Sequence, residues 1–262
     1  MHSRAIITSL ALGTCALASA QSAVIKYKFR KGEVHRFSMD MSMKMNASGQ
    51  GKSVPVSMDT TSVFEQSVKS VAPDGTGTVA LTLEKLSAQV NGKSRTENAN
   101  SSNILKITPS GQSTVVSSSG SNQGGSLSNM QLMSNFPTAP IKVGSSWSSN
   151  FNMPGANLGG PGAFKLTNKV DKIEHSGGKV FAYIHSFGKL DMGQAIQNSQ
   201  KMPSGSKATG GMTADLHYVF NISQGLVQSM DGTASFTMNF TGMGAQSGTT
   251  NGGMRMAFRL LN

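Results

Sequence analysis

Cysteine is nearly absent. The one thiol of the 262-residue chain, Cys15, stands inside an apolar leader, and cleavage after Ala20 leaves none. Disulfides, a cysteine nucleophile and thiolate-held metals are thereby excluded from the mature chain. Charge is also scarce, at 13% of residues, and acidic charge scarcest, with 12 Asp and Glu against 23 Lys and Arg. Those carboxylates are dispersed and form no evident acid–base pair. Long stretches rich in Ala, Leu, Glu and Lys are missing, which argues against a helix bundle, a coiled coil or a large nucleotide-dependent α/β enzyme. Signatures of catalysis are missing too. His35, His175, His185 and His217 show no HxxH or HExxH spacing, and there is no GxSxG elbow. Gly159 and Gly160 stand without the lysine or the strand-to-helix context of a phosphate loop. The sequence reads as that of a non-enzyme, with no catalytic residue, no cofactor and no metal ligand set expected.

What is present begins with the leader. His2 and Arg4 form a basic start, residues 5–18 an apolar run, and Ala18-Ser19-Ala20 a small-x-small cleavage site before Gln21. That is the pattern of a secretory signal peptide over residues 1–20, and its apolar run is too short to anchor the mature chain across a membrane. Leu12-Gly13-Thr14-Cys15 offers a rival, lipoprotein-type reading in which lipid is attached to Cys15. Either way the expectation is export, to the periplasm, the cell surface or the medium. The formal charge of +11 loses only Arg4 on cleavage. An excess of that size favours an anionic envelope surface as a partner, while export argues against nucleic acid.

Polarity comes from Gly, Ser, Thr and Asn rather than from ions, and period-two alternation runs almost throughout. Ile25, Tyr27 and Phe29 alternate with Lys26, Lys28 and Arg30. The aromatics thus take the face opposite the cations, which suits a solvated edge strand better than a stacking platform for bases. Phe37, Met39, Met41, Met43 and Met45 share one face of the next strand, opposite Arg36, Ser38, Asp40, Ser42 and Lys44. Asp74-Gly75 and Asn91-Gly92 mark tight turns. Between them the apolar phase slips from Val79, Leu81 and Leu83 to Leu86, Ala88 and Val90, which predicts a bulge or a segment buried on both faces. Leu127, Met130 and Met133 suggest one short helix, ended by Phe136-Pro137. Strands resume over residues 147–153, 164–173 and 180–187. A Gly/Ser-rich stretch at 193–211 precedes the last alternations, Leu216 to Ile222, Ala234 to Phe240 and Met254 to Leu260.

The expected fold is all-β: antiparallel sheets, as two related units forming a curved sheet, open half-barrel or sandwich, with at most one or two short helices. The first β unit spans 21–116, a Ser/Gly-rich linker or loop 117–128, and the second β unit 129–262; one continuous domain over 21–262 is the alternative. An internal likeness links the units. Gly32 before Phe37 and Met39 matches Gly144 before Trp147 and Phe151. Val68, Val71 and Gly75 match Val170, Ile173 and Gly177, and Ile107 with Gly111 matches Ile222 with Gly225. Three segments, Tyr27-Lys28-Phe29-Arg30-Lys31-Gly32-Glu33, Pro140-Ile141-Lys142-Val143-Gly144-Ser145-Ser146-Trp147 and Tyr218-Val219-Phe220-Asn221-Ile222-Ser223-Gln224-Gly225-Leu226-Val227, resemble an uncharacterised family of exported, β-rich bacterial envelope proteins of unknown function. The resemblance implies export and a β fold, and carries over no activity or catalytic residue.

The sharpest feature is the methionine stripe. Thioethers at every second strand position line up about 7 Å apart on one face, and the chain holds 17 Met in all. Such a stripe serves as ordinary core, as the lining of a pliable hydrophobic cavity, or, where sulfurs from other strands converge, as a Cu(I) site. The expectation carried forward is a non-enzymatic envelope protein binding a hydrophobic or amphiphilic ligand, such as a lipid or lipoprotein-like chain. Its binding face would comprise Phe37, Met39, Met41, Met43, Met45, Met238, Met254 and Met256. The alternative is a structural or protein-interaction module of the cell surface without a small-molecule ligand. His185 and His217 both fall in predicted strands, and two histidines beside a carboxylate in a cleft would reopen the question of an enzyme.

Overall fold

A computed structural model describes residues 22–49, 52–97, 101–119, 135–151, 164–191, 206–243 and 246–261. The leader with Cys15, and the short helix expected around Leu127, Met130 and Met133, lie outside the described residues. Alternating apolar and small polar side chains give each segment one wettable and one apolar face, and the described chain forms strands and no helix. In chain order the strands are β1 (Val34–Gly49), β2 (Lys52–Val71), β3 (Gly77–Val90), β4 (Lys93–Glu97), β5 (Ser101–Ile107), β6 (Ser113–Ser119), β7 (Ser146–Phe151), β8 (Phe164–Ser176), β9 (Lys179–Asp191), β10 (Lys207–Asn221), β11 (Leu226–Met243) and β12 (Gln246–Leu261). They form a single curved, unclosed antiparallel sheet in the order β6-β5-β3-β2-β1-β12-β11-β10-β9-β8-β7, with β4 paired to β3. No helix among the described residues is long and apolar enough to cross a membrane.

The seam of the sheet is the β1–β12 pair, in register from Arg36 opposite Leu261 to Gly49 opposite Gly248. Strands β2 to β6 fan out on one side of it and β11 to β7 on the other. Local chemistry accounts for the irregularities. Asn91 and Gly92 both have positive φ, 48° and 81°, the pattern that lets a two-residue loop follow the strand twist from β3 to β4. The phase slip in β3 is a bulge: Val63 faces Lys85 and Phe64 faces Leu83, which leaves Glu84 out of the ladder. Past it, β3 exchanges β5 for β4 as its outer neighbour. Composition misleads at two places. β6 continues through Ser117 to Ser119, into the segment read as linker, and β10 starts at Lys207, inside the Gly/Ser-rich stretch. There the ladder of a neighbouring strand fixes a backbone whose own propensity is weak.

One face of the sheet is apolar, and its densest packing lies at the end where β1 and β11 begin and β10 and β12 finish. Residues 22–30 do not join the sheet as an edge strand; they cross this end of the apolar face as an extended cap. Ala23 bridges to Ile141, the Tyr27 N–H donates to the Pro109 carbonyl at 2.8 Å, and the Lys28 N–H donates to the Gly225 carbonyl at 3.1 Å. Alternation still sorts the side chains: Ile25 and Tyr27 are buried, while Lys26, Lys28 and Arg30 are exposed. The Tyr27 ring lies 5.0 Å from Phe136 and 5.4 Å from Phe220, centroid to centroid. Burial of a side chain of this size stabilises by about 1.5–3 kcal/mol. Phe29 lies over Gly77, where a Cβ would come within 2.6 Å of the ring. The Lys28 ammonium donates to the carbonyls of Ile222 and Ser223 at 2.9 and 3.0 Å. The internal likeness has a geometric counterpart. The bonds Gly32 N–H to Val68 C=O and Val68 N–H to Glu33 C=O recur as Gly144 N–H to Val170 C=O and Val170 N–H to Ser145 C=O.

Candidate functional site

Strand pairing decides what the methionine stripe touches. Met41 lies opposite Met256, and Met43 lies between Met254 on β12 and Met58 on β2. Five thioethers from three strands therefore share one patch, a convergence that periodicity within β1 could not supply. Met238 of β11 falls on the same face, two residues beyond Phe236, which is opposite Gly252. Gly252 makes room for two neighbours, since a Cβ there would sit 2.8 Å from both the Met45 Cβ and the Phe236 ring. Phe37, stacked on Phe258 at 4.8 Å, is buried together with Met39, Met238, Met254 and Met256, whereas Met41, Met43 and Met45 are half-buried.

Burial is uneven along the face. Phe37, Phe64, Leu81 and Phe220 at the capped end are buried; at the other end Met45, Val56, Met58, Phe236 and Phe240 are half-buried, while Ala208 and Met238 beside them are buried. Among the described residues, the segments outside the strands that pack on this face, around Tyr27, Phe136 and Ile141, sit at the capped end. Beside the cap, next to Phe29, Phe37, Val68 and Phe258, remains a hollow of about 20 Å³, room for about one water.

Larger hollows lie on the opposite, polar face, because a strongly twisted sheet is saddle-shaped and concave on both sides along different diagonals. The largest near the seam is an open groove of about 640 Å³. Register lays out its floor. His185 of β9 faces His217 of β10, His217 faces Asp231 of β11, Asp231 faces Ala257 of β12, and Ala257 faces Asp40 of β1. In the adjoining row Asp215 faces Thr233, then Arg255, Ser42 and Asp59 follow. Four of the chain's 12 acidic residues, Asp40, Asp59, Asp215 and Asp231, line this groove on a protein of net charge +11. Two of them have partners of their own: Asp40 accepts from the Thr61 hydroxyl at 2.7 Å, and Asp231 pairs with Arg259.

Asp215 engages both histidines. The His185 and His217 rings stack at 4.6 Å with 5° between their planes, and each Nε2 lies 3.1 Å from Asp215 Oδ1. The His185 contact is a hydrogen bond when that ring carries its proton on Nε2, and the His217 contact is an ion pair when its ring is charged. Phe187, two residues beyond His185 and opposite Asp215, is exposed and lies 5.3 Å from the His185 ring. A second open hollow of about 740 Å³ continues past Asp215 along Phe187, Thr213 and Thr233. The nearby hydroxyls of Thr213 and Ser235 bond each other at 2.8 Å.

No protein-family model matches this chain, and neither does any curated protein. The stripe residues were visible from alternation, and the structure places all eight expected ligand-binding residues on one face. Sequence reasoning named His185 and His217 as strand residues whose meeting beside a carboxylate in a cleft would reopen the question of an enzyme. The structure brings both to Asp215, which was not foreseen, on an open groove rather than inside a closed cleft. Half of that signal was present, since Asp215 and His217 are two apart in an alternating strand. The other half, the β9–β10 register that sets His185 beside His217, is not written in either strand alone.

Proposed function

We propose that this is an exported, non-enzymatic envelope protein that binds a hydrophobic or amphiphilic ligand, a lipid or a lipid-modified chain, on the Met-lined apolar face of its sheet. The observation carrying this reading is the group of half-buried apolar side chains that the face presents beyond the cap, Met43, Met45, Met58, Phe236 and Phe240. An apolar sheet face needs an apolar cover, and thioether side chains re-pack readily around varied chains. Lys52, exposed on the same strand face beyond Val56 and Met58, suits an anionic headgroup or envelope surface at the rim. The leader pattern of residues 1–20 supports export.

The test is lipid mass spectrometry on solvent extracts of residues 21–262, purified from a bacterial periplasm without detergent. About one lipid per chain is expected, lost from the Met43→Glu, Met58→Glu double variant while the far-ultraviolet circular dichroism stays unchanged. A folded, lipid-free wild-type protein overturns the reading. It would favour a second one, a protein-interaction module, which β6 supports on its own. All seven residues of that edge strand are exposed, and none is charged or proline. Its backbone edge is therefore open to addition of a partner's strand.

A further inference from the structure

We propose that His185, Asp215 and His217 form a binding site for a divalent first-row transition ion, tested here as Zn²⁺, on the polar face opposite the methionine stripe. The site stands independently of whatever covers the apolar face. Two imidazoles and a carboxylate are a recurrent donor set for Zn²⁺, with metal–ligand bonds of about 2.0–2.2 Å. Donor atoms around such an ion are separated by about 3.4 Å, and both Nε2 atoms lie 3.1 Å from Asp215 Oδ1. All three donor atoms fall within 4.8 Å of one another. Among the described residues, no other group of three His, Asp or Glu side chains does so.

The positions are held by the sheet rather than by a loop. His185 and His217 are direct cross-strand partners, and Asp215 is two residues from His217 on the same strand face. Donors in a tetrahedral shell with bonds of that length are about 3.4 Å apart, so the two rings, stacked at 4.6 Å, tilt toward each other by about 1 Å at their Nε2 atoms. His217, with its side chain 63% exposed, is free to make that turn. Phe187 walls one side and limits water access there. Lys169, opposite His185 on β8, is the nearest opposing charge by register, and Asp231, opposite His217 on β11, is paired with Arg259. Three protein donors leave a coordination position open toward the groove, where water or an anionic oxygen of a ligand would sit. Asp40 and Asp59 lie across the groove on β1 and β2 and are too far along the register to be donors.

The experiment is calorimetric titration of untagged, chelator-treated residues 21–262 with Zn²⁺ at neutral pH, in the presence of millimolar Mg²⁺ and Ca²⁺. One ion per chain is expected. His185→Ala, His217→Ala and Asp215→Asn should each weaken binding by at least about tenfold. His35→Ala and His175→Ala, which lie elsewhere, should leave it unchanged. All three site positions are on the polar face, so circular dichroism and the thermal midpoint without metal should match wild type. Three outcomes overturn the proposal: no stoichiometric uptake, uptake indifferent to the two histidine variants, or equal competition by Ca²⁺. The last would mark a merely acidic groove.

Discussion

Tyr27 holds the one described side-chain polar atom that is buried without a hydrogen-bond partner among the described residues, its phenolic oxygen. Burial pushes that phenol well above its ordinary range, and nearby Tyr218 adds to the shift. An orphaned hydroxyl in such a place costs about 1–3 kcal/mol, so Tyr27→Phe should stabilise the fold by about 1 kcal/mol in urea titrations at neutral pH. The sign at high pH follows from proton counting. Above about pH 10 the unfolded chain releases the Tyr27 proton while the folded chain keeps it, so wild-type stability falls as pH rises. The gap between variant and wild type should widen by about 1.4 kcal/mol per pH unit there; a constant gap would show that the phenol is not held protonated. At this scale alternation disclosed the inward turn of Tyr27 and the stripe from Phe37 to Met45. It was silent on the orphaned oxygen, because Phe136 and Phe220, which help enclose it, come from segments more than a hundred residues away. For the same reason the space that Gly252 leaves to Met45 and Phe236 was not legible.

Among the elements, β6 is an edge strand with no charge or proline along its seven exposed residues, and its one irregularity is the bulge at Val116. Val116→Lys places a charge at an exposed position of that edge and should leave the unfolding midpoint unchanged, as surface substitutions usually do within about 0.5 kcal/mol. If the edge recruits another chain, the substitution should abolish concentration-dependent association in sedimentation velocity; association that persists would place the contact elsewhere. Elements were the most legible scale. The Asn91-Gly92 hairpin and the bulge at Glu84 follow from turn chemistry and from a broken apolar phase. Residues 22–30 were the exception, since an alternating segment looks the same whether it pairs along a sheet edge or lies across a sheet face. Only the carbonyls of Pro109 and Gly225 that receive its N–H groups distinguish the two.

At the scale of the whole molecule, the two wings share one ladder through β1 and β12. Trp147, the single tryptophan, sits in β7 at one margin, so its fluorescence reports on one wing while circular dichroism reports on all strands. The two signals should give coincident urea transitions; an earlier tryptophan transition would mean that the wing opens by itself. The all-β, antiparallel, curved character of the molecule was readable from composition and alternation. The strand order was not, because a period of two says which face a side chain takes and nothing about which strand lies alongside. That order has a consequence in time. The strands at the centre of the sheet are the earliest and the latest of those described, so a chain growing from its N-terminus leaves β1 with one edge open until residues 246–261 have been made. Closing so distant a pair is slow relative to the local hairpins. A stop codon shortly before residue 246 would therefore remove the spine of the sheet, not its fringe, and leave two complete but unjoined wings.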